Sequence, residues 1–371
     1  MRFLLLSTDY PDFLTSLYRQ HPGLDTQTYE EQVRARTDSL FGLADFYSRN
    51  LKQLGHEAWD IDVNNEFMQK AWGRQHAPGL NGSRRWQFRL RRGFVPWLSR
   101  MERDWFYDIL RAQIKFYRPD VLLTHTIDID DTFLREMKPY VRLLVGSHAS
   151  PVEGTRDFGI YDLMLSCVDN FVDYFRRQGV KSERLRFGFE PGVLSRFSAS
   201  ERPIPVSFVG NVFSGHASRL RWLDHVCQSL SPQLWVPSLR GFPDTSPIMR
   251  RHRGAAWGAE MFRVLHQSRI TLNHHIDVAE DYAGNIRLFE ATGMGSLLVT
   301  DWKKNLHEMF EPDKEVVAYR TQEECVEKVE YYLAHDDERE AIARAGQQRT
   351  LRDHTFRQRM LELEGIVLKY L

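Results

Sequence analysis

The stretch Asn285-Ile-Arg287-Leu-Phe-Glu290-Ala-Thr-Gly293-Met-Gly295-Ser-Leu-Leu-Val-Thr-Asp301 decides how this chain folds. Asn285 to Thr292 predicts a helix. Gly293 and Gly295 allow a tight turn, and Ser296 to Thr300 is an apolar run of the kind buried in parallel sheets. A helix starting at the carboxyl edge of such a sheet offers free N–H groups and the positive end of its dipole, which suits a diphosphate. Arg287, in the first turn, adds a cation that grips phosphate with two parallel bonds. Glu290, one turn further on a nearby face, can accept both hydroxyls of a ribose.

The same alternation extends upstream. Arg2 to Asp9 is an apolar run closed by polar residues and predicts a buried first strand. A helical pattern from Thr28 to Leu54 is stopped by Gly55 and followed by the strand His56 to Asp62. A helix from Met101 to Tyr117 precedes the strand Val121 to Thr124, which ends at His125. Val141 to Val145 runs into Gly146-Ser147-His148, and Leu163 to Leu165 leads into a helix from Val168 to Gln178. A second series comprises Pro205 to Gly210, Leu234 to Val236, Ile270 to Asn273, the opening stretch, and Glu315 to Tyr319. Helices from Thr321 to Ala334, Glu338 to Gly346 and Phe356 to Leu371 close the chain.

Strands alternating with helices predict an α/β protein of two Rossmann-like, doubly wound domains, with ligands in the cleft at the carboxyl ends of the strands. Ser195 to Pro205, rich in serine and proline, is the expected linker. The expected divisions are 1–195, 205–352 and a terminal helix at 353–371.

The 371 residues, 42% of them hydrophobic, suffice for two cores. The 50 basic and 50 acidic residues cancel, which gives no reason to expect a polyanionic partner such as duplex DNA. Cys167, Cys227 and Cys325 are too few and too scattered for a disulfide framework or a zinc knuckle, so a reducing cytoplasm is the expected compartment. The apolar run Phe3 to Leu6 is too short for a signal segment, and no long apolar stretch predicts a membrane span. Asp9, His125 and His148 each follow a predicted strand and are the candidates for acid–base chemistry. Gly210 ends the first strand of the second series, where a ligand would approach the backbone closely.

His274-His275-Ile-Asp277 has metal-binding residue types, but adjacent side chains diverge on a strand, so a structural or cleft-lining role is favoured. The basic and aromatic segment containing Arg84, Arg85, Trp86, Arg89, Arg91, Arg92 and Trp97 has three readings: an ordinary insertion, contact with an anionic membrane carrying a lipid-linked acceptor, or single-stranded nucleic acid. Nucleic acid ranks last of the three.

Several ordered blocks carry a resemblance. They are Val206-Ser-Phe-Val-Gly210-Asn211 with His216 and Arg219, Gly258-Ala-Glu-Met-Phe262, Ile270-Thr-Leu-Asn273, Asn285 to Asp301, Phe310 to Val316, and Ala341-Ile-Ala-Arg-Ala-Gly346 to His354-Thr-Phe356. Over about 205–360 the chain resembles the donor-binding domain of GT-B glycosyltransferases of the spore-maturation type. The resemblance implies two facing domains, a last helix returning to the first domain, and sugar transfer from a nucleotide sugar without an obligatory metal. It places Gly210, Asn211, Arg219, Asn273, Asn285, Arg287, Glu290, Gly293 and Gly295 on the donor, a UDP-sugar ahead of a GDP- or dTDP-sugar. Pro119 to His125 is similar to the strand and active-site histidine of retaining members, which ranks His125 ahead of His148 and Asp9.

The related Glu-x7-Glu pattern is matched at Glu290 but meets Tyr282 at its first position, so retention of configuration does not carry over. The acceptor implied is a hydroxyl of a glycan, a lipid-linked saccharide or a small molecule, as in polysaccharide biosynthesis at or near the inner membrane face. A shell that binds a glycan or partner without catalysis, and a nucleotide-sugar epimerase, are the alternatives.

Overall fold

A computed structural model describes residues 1–80, 86–91, 95–100, 104–126, 129–150, 156–198, 201–212, 217–239 and 242–371. Thirteen strands are present among them: β1 (Arg2–Ser7), β2 (Glu57–Asp62), β3 (Trp86–Arg91), β4 (Val95–Arg100), β5 (Val121–Thr124), β6 (Leu143–Ser147), β7 (Leu163–Ser166), β8 (Ser182–Arg184), β9 (Ile204–Val209), β10 (Gln233–Trp235), β11 (Ser268–Asn273), β12 (Leu297–Asp301) and β13 (Val317–Tyr319). They form a six-stranded sheet ordered β2-β1-β5-β6-β7-β8, a five-stranded sheet ordered β10-β9-β11-β12-β13, and the pair β3-β4. Pairing is parallel at β1–β2, β1–β5, β5–β6 and β7–β8, and throughout the five-stranded sheet.

Parallel strands need helical crossovers, which cover both faces of a sheet and make its strands apolar along their length. Phe3, Leu4 and Leu6 of β1, Val121 to Leu123 of β5, and Leu297 and Val299 of β12 are accordingly buried. Both sheets are doubly wound. The chain leaves β1 toward β2 on one side and returns to β5 on the other, so the first topological switch lies between β1 and β5. The second lies between β9, whose neighbours are β10 and β11, and β11 itself. Such a switch opens a crevice at the carboxyl ends of the strands.

The chain divides into two compact units, one of Met1–Ser147, Asp157–Leu163 and Tyr370–Leu371, the other of His148–Arg156 and Met164–Lys369. In the first, the helical pattern read as continuous from Thr28 to Leu54 is two helices, Tyr29–Asp38 and Phe46–Gln53. The break has a local cause: Leu40, Gly42 and Ala44 take positive φ, Phe41 stacks on Phe13 at 3.8 Å, and the Arg36 guanidinium donates to the Phe41 carbonyl at 3.1 Å. Thr28 and Glu31 form a reciprocal capping box that starts the first helix.

In the second unit, the helix predicted from Glu338 to Gly346 runs from Asp336 to Asp353. The last helix, Phe356–Tyr370, is anchored at its start: Phe356 N donates to Phe189 O at 2.9 Å, Phe189 N to His354 O at 2.8 Å, and Arg359 Nε to Phe187 O at 2.9 Å.

The backbone of the basic segment pairs as an antiparallel hairpin, Trp86 opposite Arg100 and Arg91 opposite Val95. Arg84, Arg85 and Arg92, and the side chains of Trp86, Arg89, Arg91 and Trp97, lie outside the described residues, as does His216. Among the described residues, no helix is long and apolar enough to cross a membrane.

Candidate functional site

The carboxyl ends of β9, β11, β12 and β13 lie along one edge of the five-stranded sheet, and a continuous polar web joins them there. Arg287 opens the helix Arg287–Gly293 and reaches across to β9, its Nε donating to the Val209 carbonyl at 3.2 Å and its Nη1 lying 3.0 Å from Met261 Sδ. The same Nη1 is 2.7 Å from Glu290 Oε2. This is an ion pair outside hydrogen-bonding geometry, so Oε2 is buried with its hydrogen-bonding capacity unspent. Burial raises the Glu290 carboxyl above its ordinary range and Arg287 only partly offsets the rise. A carboxylate 5% exposed, next to a guanidinium and short of donors, is well matched to a ligand that brings hydroxyls.

Beside it, Asn285 Nδ2 donates to Asn273 Oδ1 at 2.7 Å, and Asn273 Nδ2 donates to Thr300 Oγ1 at 2.9 Å. The chain ties β11, β12 and the start of the helix together at the second switch. Arg219 is a staple: its Nε and Nη2 donate to the His274 carbonyl at 3.0 and 2.6 Å, and its Nη1 to the Asn211 carbonyl at 3.0 Å. Burial pulls its pKa down to about 10, which leaves it a cation at neutral pH. Its role on this geometry is to hold the loops after β9 and β11. Gly210 leaves room for the ring of Phe208, which a Cβ would meet at 3.1 Å.

Asp301 and its surroundings stood outside the candidates from sequence. Burial works to raise the Asp301 carboxyl, but His275, with Nδ1 2.7 Å away, together with His274 and Lys303, outweighs it and holds the group well below the usual carboxylate range. His274 stacks on Trp222, ring centroids 4.9 Å apart, and its Nδ1 lies 2.9 Å from the Tyr319 hydroxyl. Burial pushes His274 down to about 4, so it is neutral there. The two adjacent histidines thus serve different partners, His274 the Tyr319 hydroxyl and His275 the Asp301 carboxylate. The signal available in sequence was that Asp301 and Tyr319 are the polar residues closing two apolar strands.

Gly293 and Gly295 are not part of this web. They sit at the other end of the helix from Arg287, where it turns into β12. A Cβ on Gly293 would collide with the Phe189 ring, and one on Gly295, whose φ is +74, would come 2.9 Å from Arg202 Nη2. Close packing and a left-handed turn account for both. The helix is also only seven residues long, so its dipole contributes little and the side chains of Arg287 and Glu290 carry the electrostatics.

The three candidates of the N-terminal series have different environments. Asp9 is 3% exposed and held by Arg36, with Nη2 to Oδ1 at 2.6 Å and Nε to Oδ2 at 3.2 Å, while Arg36 Nε also lies 3.3 Å from Asp62 Oδ2. Burial and the Asp62 charge push Asp9 up to about 6 against the pull of Arg36. His125 meets the edge of Tyr47 at 5.0 Å, its Nε2 is buried without a hydrogen-bond partner, and burial pushes its pKa down to about 4. His148 donates its backbone N–H to Leu165 at 3.0 Å and packs edge-on to Phe171 at 5.8 Å.

Residues 200–365 match the family model described as glycosyl transferase-like. Solved structures of the same architecture include HepE from Anabaena in complex with UDP-glucose, at 10% identity and TM-score 0.59 over 100% of both chains. A glycosyltransferase from Rickettsia africae aligns at 11% identity and TM-score 0.58, covering 100% of this chain and 98% of that one. Sucrose-phosphate synthase from Thermosynechococcus elongatus aligns at 11% identity and TM-score 0.52, again over 100% and 98%. The fold is GT-B. No curated protein sequence matches this chain. The family match and the shared GT-B architecture support a sugar transferase, and the polar web described above lies within the matched region.

Proposed function

We propose that this GT-B protein transfers a sugar from a nucleoside diphosphate sugar, a UDP-sugar first, to a hydroxyl acceptor, in the manner of the spore-maturation-type enzymes. The observation that carries the reading is the buried Glu290 carboxylate with unspent hydrogen-bonding capacity beside Arg287, at the switch between β9 and β11. Glu290 accepts the ribose hydroxyls. Arg287, whose Nε and Nη1 are engaged, turns its remaining guanidinium edge to the diphosphate. Asn273 and Asn285 fix the helix start, and the backbone at Gly210 and Asn211 borders the same crevice.

In the transfer, the acceptor oxygen bonds to the anomeric carbon, the bond from that carbon to the diphosphate oxygen breaks, and the acceptor proton passes to a base at the site or to the released diphosphate. The charge that grows on the diphosphate is met by Arg287, with no metal required. His125, neutral because burial holds its pKa near 4, offers an unpartnered Nε2 to a hydroxyl, which supports it over the ion-paired Asp9 as the group facing acceptor or sugar.

A second reading has one observation in its favour. Where related retaining enzymes carry a carboxylate beside the donor sugar, this chain has Tyr282, with Lys304 Nζ 3.8 Å from its ring centre. A shell that binds the donor without turnover fits that substitution. Incubating the purified protein with UDP-, GDP- and dTDP-sugars separates the two: slow release of free sugar from one donor is expected of a transferase. Thermal stabilisation by a donor with no release in any condition leaves the binding shell, and neither response from the full panel contradicts both.

A further inference from the structure

A second crevice lies beyond the carboxyl ends of β1, β2 and β5, at the switch point of the six-stranded sheet. It has a volume of about 380 Å3, within the range of small-molecule sites. Its mostly apolar walls include Pro11, Val63, Phe106, Tyr107 and Ile129, of which Val63, Phe106 and Ile129 are buried, and Thr8, Tyr10 and Thr126 add hydroxyls to the lining. The rings of Phe106 and Tyr107 stand edge to face, with centroids 4.9 Å apart.

The polar groups on these walls are mostly committed to the protein. Asn64 is locked to the backbone of Asp9 by a reciprocal pair, Asp9 N to Oδ1 at 2.9 Å and Nδ2 to Asp9 O at 2.7 Å. The Tyr107 hydroxyl accepts from Asp130 N at 2.9 Å. The carboxylate of Asp9 takes two bonds from Arg36 and is only 1% exposed, so it is a buried charge behind the wall rather than a contact for a ligand. Behind it, Asp9 and Asp62 share the single Arg36 guanidinium, so the wall leans negative.

These features select among ligands. A saccharide buried here would leave most of its hydroxyls facing apolar walls without partners, which disfavours it. A phosphorylated compound would meet the paired carboxylates, which disfavours it too. A flat, uncharged ring system gains from burial against the aromatic and aliphatic walls, and a hydroxyl on it can bond to Thr8 at the exposed rim. We propose that this crevice binds an uncharged, hydroxyl-bearing aromatic or alicyclic compound, and that this class, rather than a sugar, is the acceptor. The acceptor role rests on the sugar-transfer reading; the binding preference rests on the crevice alone.

Binding of 2-naphthol, 2-naphthyl phosphate and maltose to the full chain, measured by calorimetry alongside UDP, tests the inference. Thr8 is exposed at the crevice rim, so Thr8→Trp narrows the entrance without touching the core, and its thermal unfolding midpoint reports whether it folds. Naphthol is expected to bind at least tenfold more tightly than either competitor, and Thr8→Trp to weaken it at least tenfold with an unchanged midpoint. Maltose or the phosphate binding as tightly as naphthol overturns the proposal. So does naphthol binding that a folded Thr8→Trp leaves unchanged. If Thr8→Trp does not fold, competition decides: displacement of naphthol by maltose at comparable concentration overturns the proposal, and its absence supports it. UDP binding with no naphthol binding removes this inference and leaves the donor reading standing. Naphthol binding with no UDP binding removes the donor reading and, with it, the acceptor role.

Discussion

Glu290 and Asp60 are both carboxylates raised by burial, and the difference between them is the partner. Glu290 faces Arg287, 2.7 Å away, whereas Asp60 accepts from the Ser48 hydroxyl and feels Asp62 and Asp45. Burial is the larger influence on Asp60 and pushes it from 3.8 up to about 7. A raised carboxylate stabilises the fold fully below its unfolded value, and that contribution is lost as pH rises through the folded value. Asparagine keeps the bond from Ser48 and does not titrate. Asp60→Asn is therefore expected to match the parent near pH 4 and to exceed it at pH 8 by about 1–2 kcal/mol, after allowance for partial solvent contact. Thermal unfolding midpoints at the two pH values check this, and a difference that stays constant with pH contradicts it. Arg219 makes the opposite point. Three of its donors are spent on two carbonyls, so Arg219→Lys, with a point charge in place of the fork, is expected to lose about 1–3 kcal/mol of stability in denaturant titration.

At the scale of elements, glycine explains where packing is tight and where it is not. Gly346 lies within the helix Asp336–Asp353, where a Cβ would collide with the Glu315 carbonyl, while Gly365 in the helix Phe356–Tyr370 has nothing within 4 Å. Gly346→Ala should cost roughly 2 kcal/mol or more through overpacking, and Gly365→Ala should gain about 0.5–1 kcal/mol from helix propensity. Urea unfolding of the two variants tests the pair, and equal effects would contradict the packing. The apolar runs of β1, β5, β11 and β12 were legible in sequence because buried parallel strands carry one continuous signal. The break at Leu40, Gly42 and Ala44 was not, because it is held by the stack of Phe41 on the distant Phe13 and by a bond from Arg36 to the Phe41 carbonyl, neither of which shows in helical periodicity. The helix beyond Gly346 was hidden by the glycine itself, which stops an isolated helix but here is required by Glu315. Gly293 and Gly295 were legible as a tight turn, and the resemblance set them on the donor; what the sequence could not show is that Phe189 and Arg202 pack where a Cβ would stand.

For the whole molecule, each doubly wound sheet has one switch point, and each carries a polar or apolar constellation suited to a ligand. Asn285, Arg287 and Glu290, which sequence spacing groups together, lie at the second beside Asn273, which the resemblance added, while Asp301 and Tyr319 joined them only once the strands were placed side by side. Asp9, by contrast, was legible as a strand-end carboxylate but not as the partner of Arg36, which is remote in sequence. The proposed sugar transfer requires Glu290 to receive the ribose hydroxyls of a uridine nucleotide. Calorimetric titration of UDP and 2′-deoxy-UDP into the parent protein and Glu290→Gln tests it most directly. The parent is expected to favour UDP by about tenfold, near 1.4 kcal/mol, and Glu290→Gln to abolish most of that preference. The same UDP-to-deoxy-UDP ratio in both proteins would contradict it.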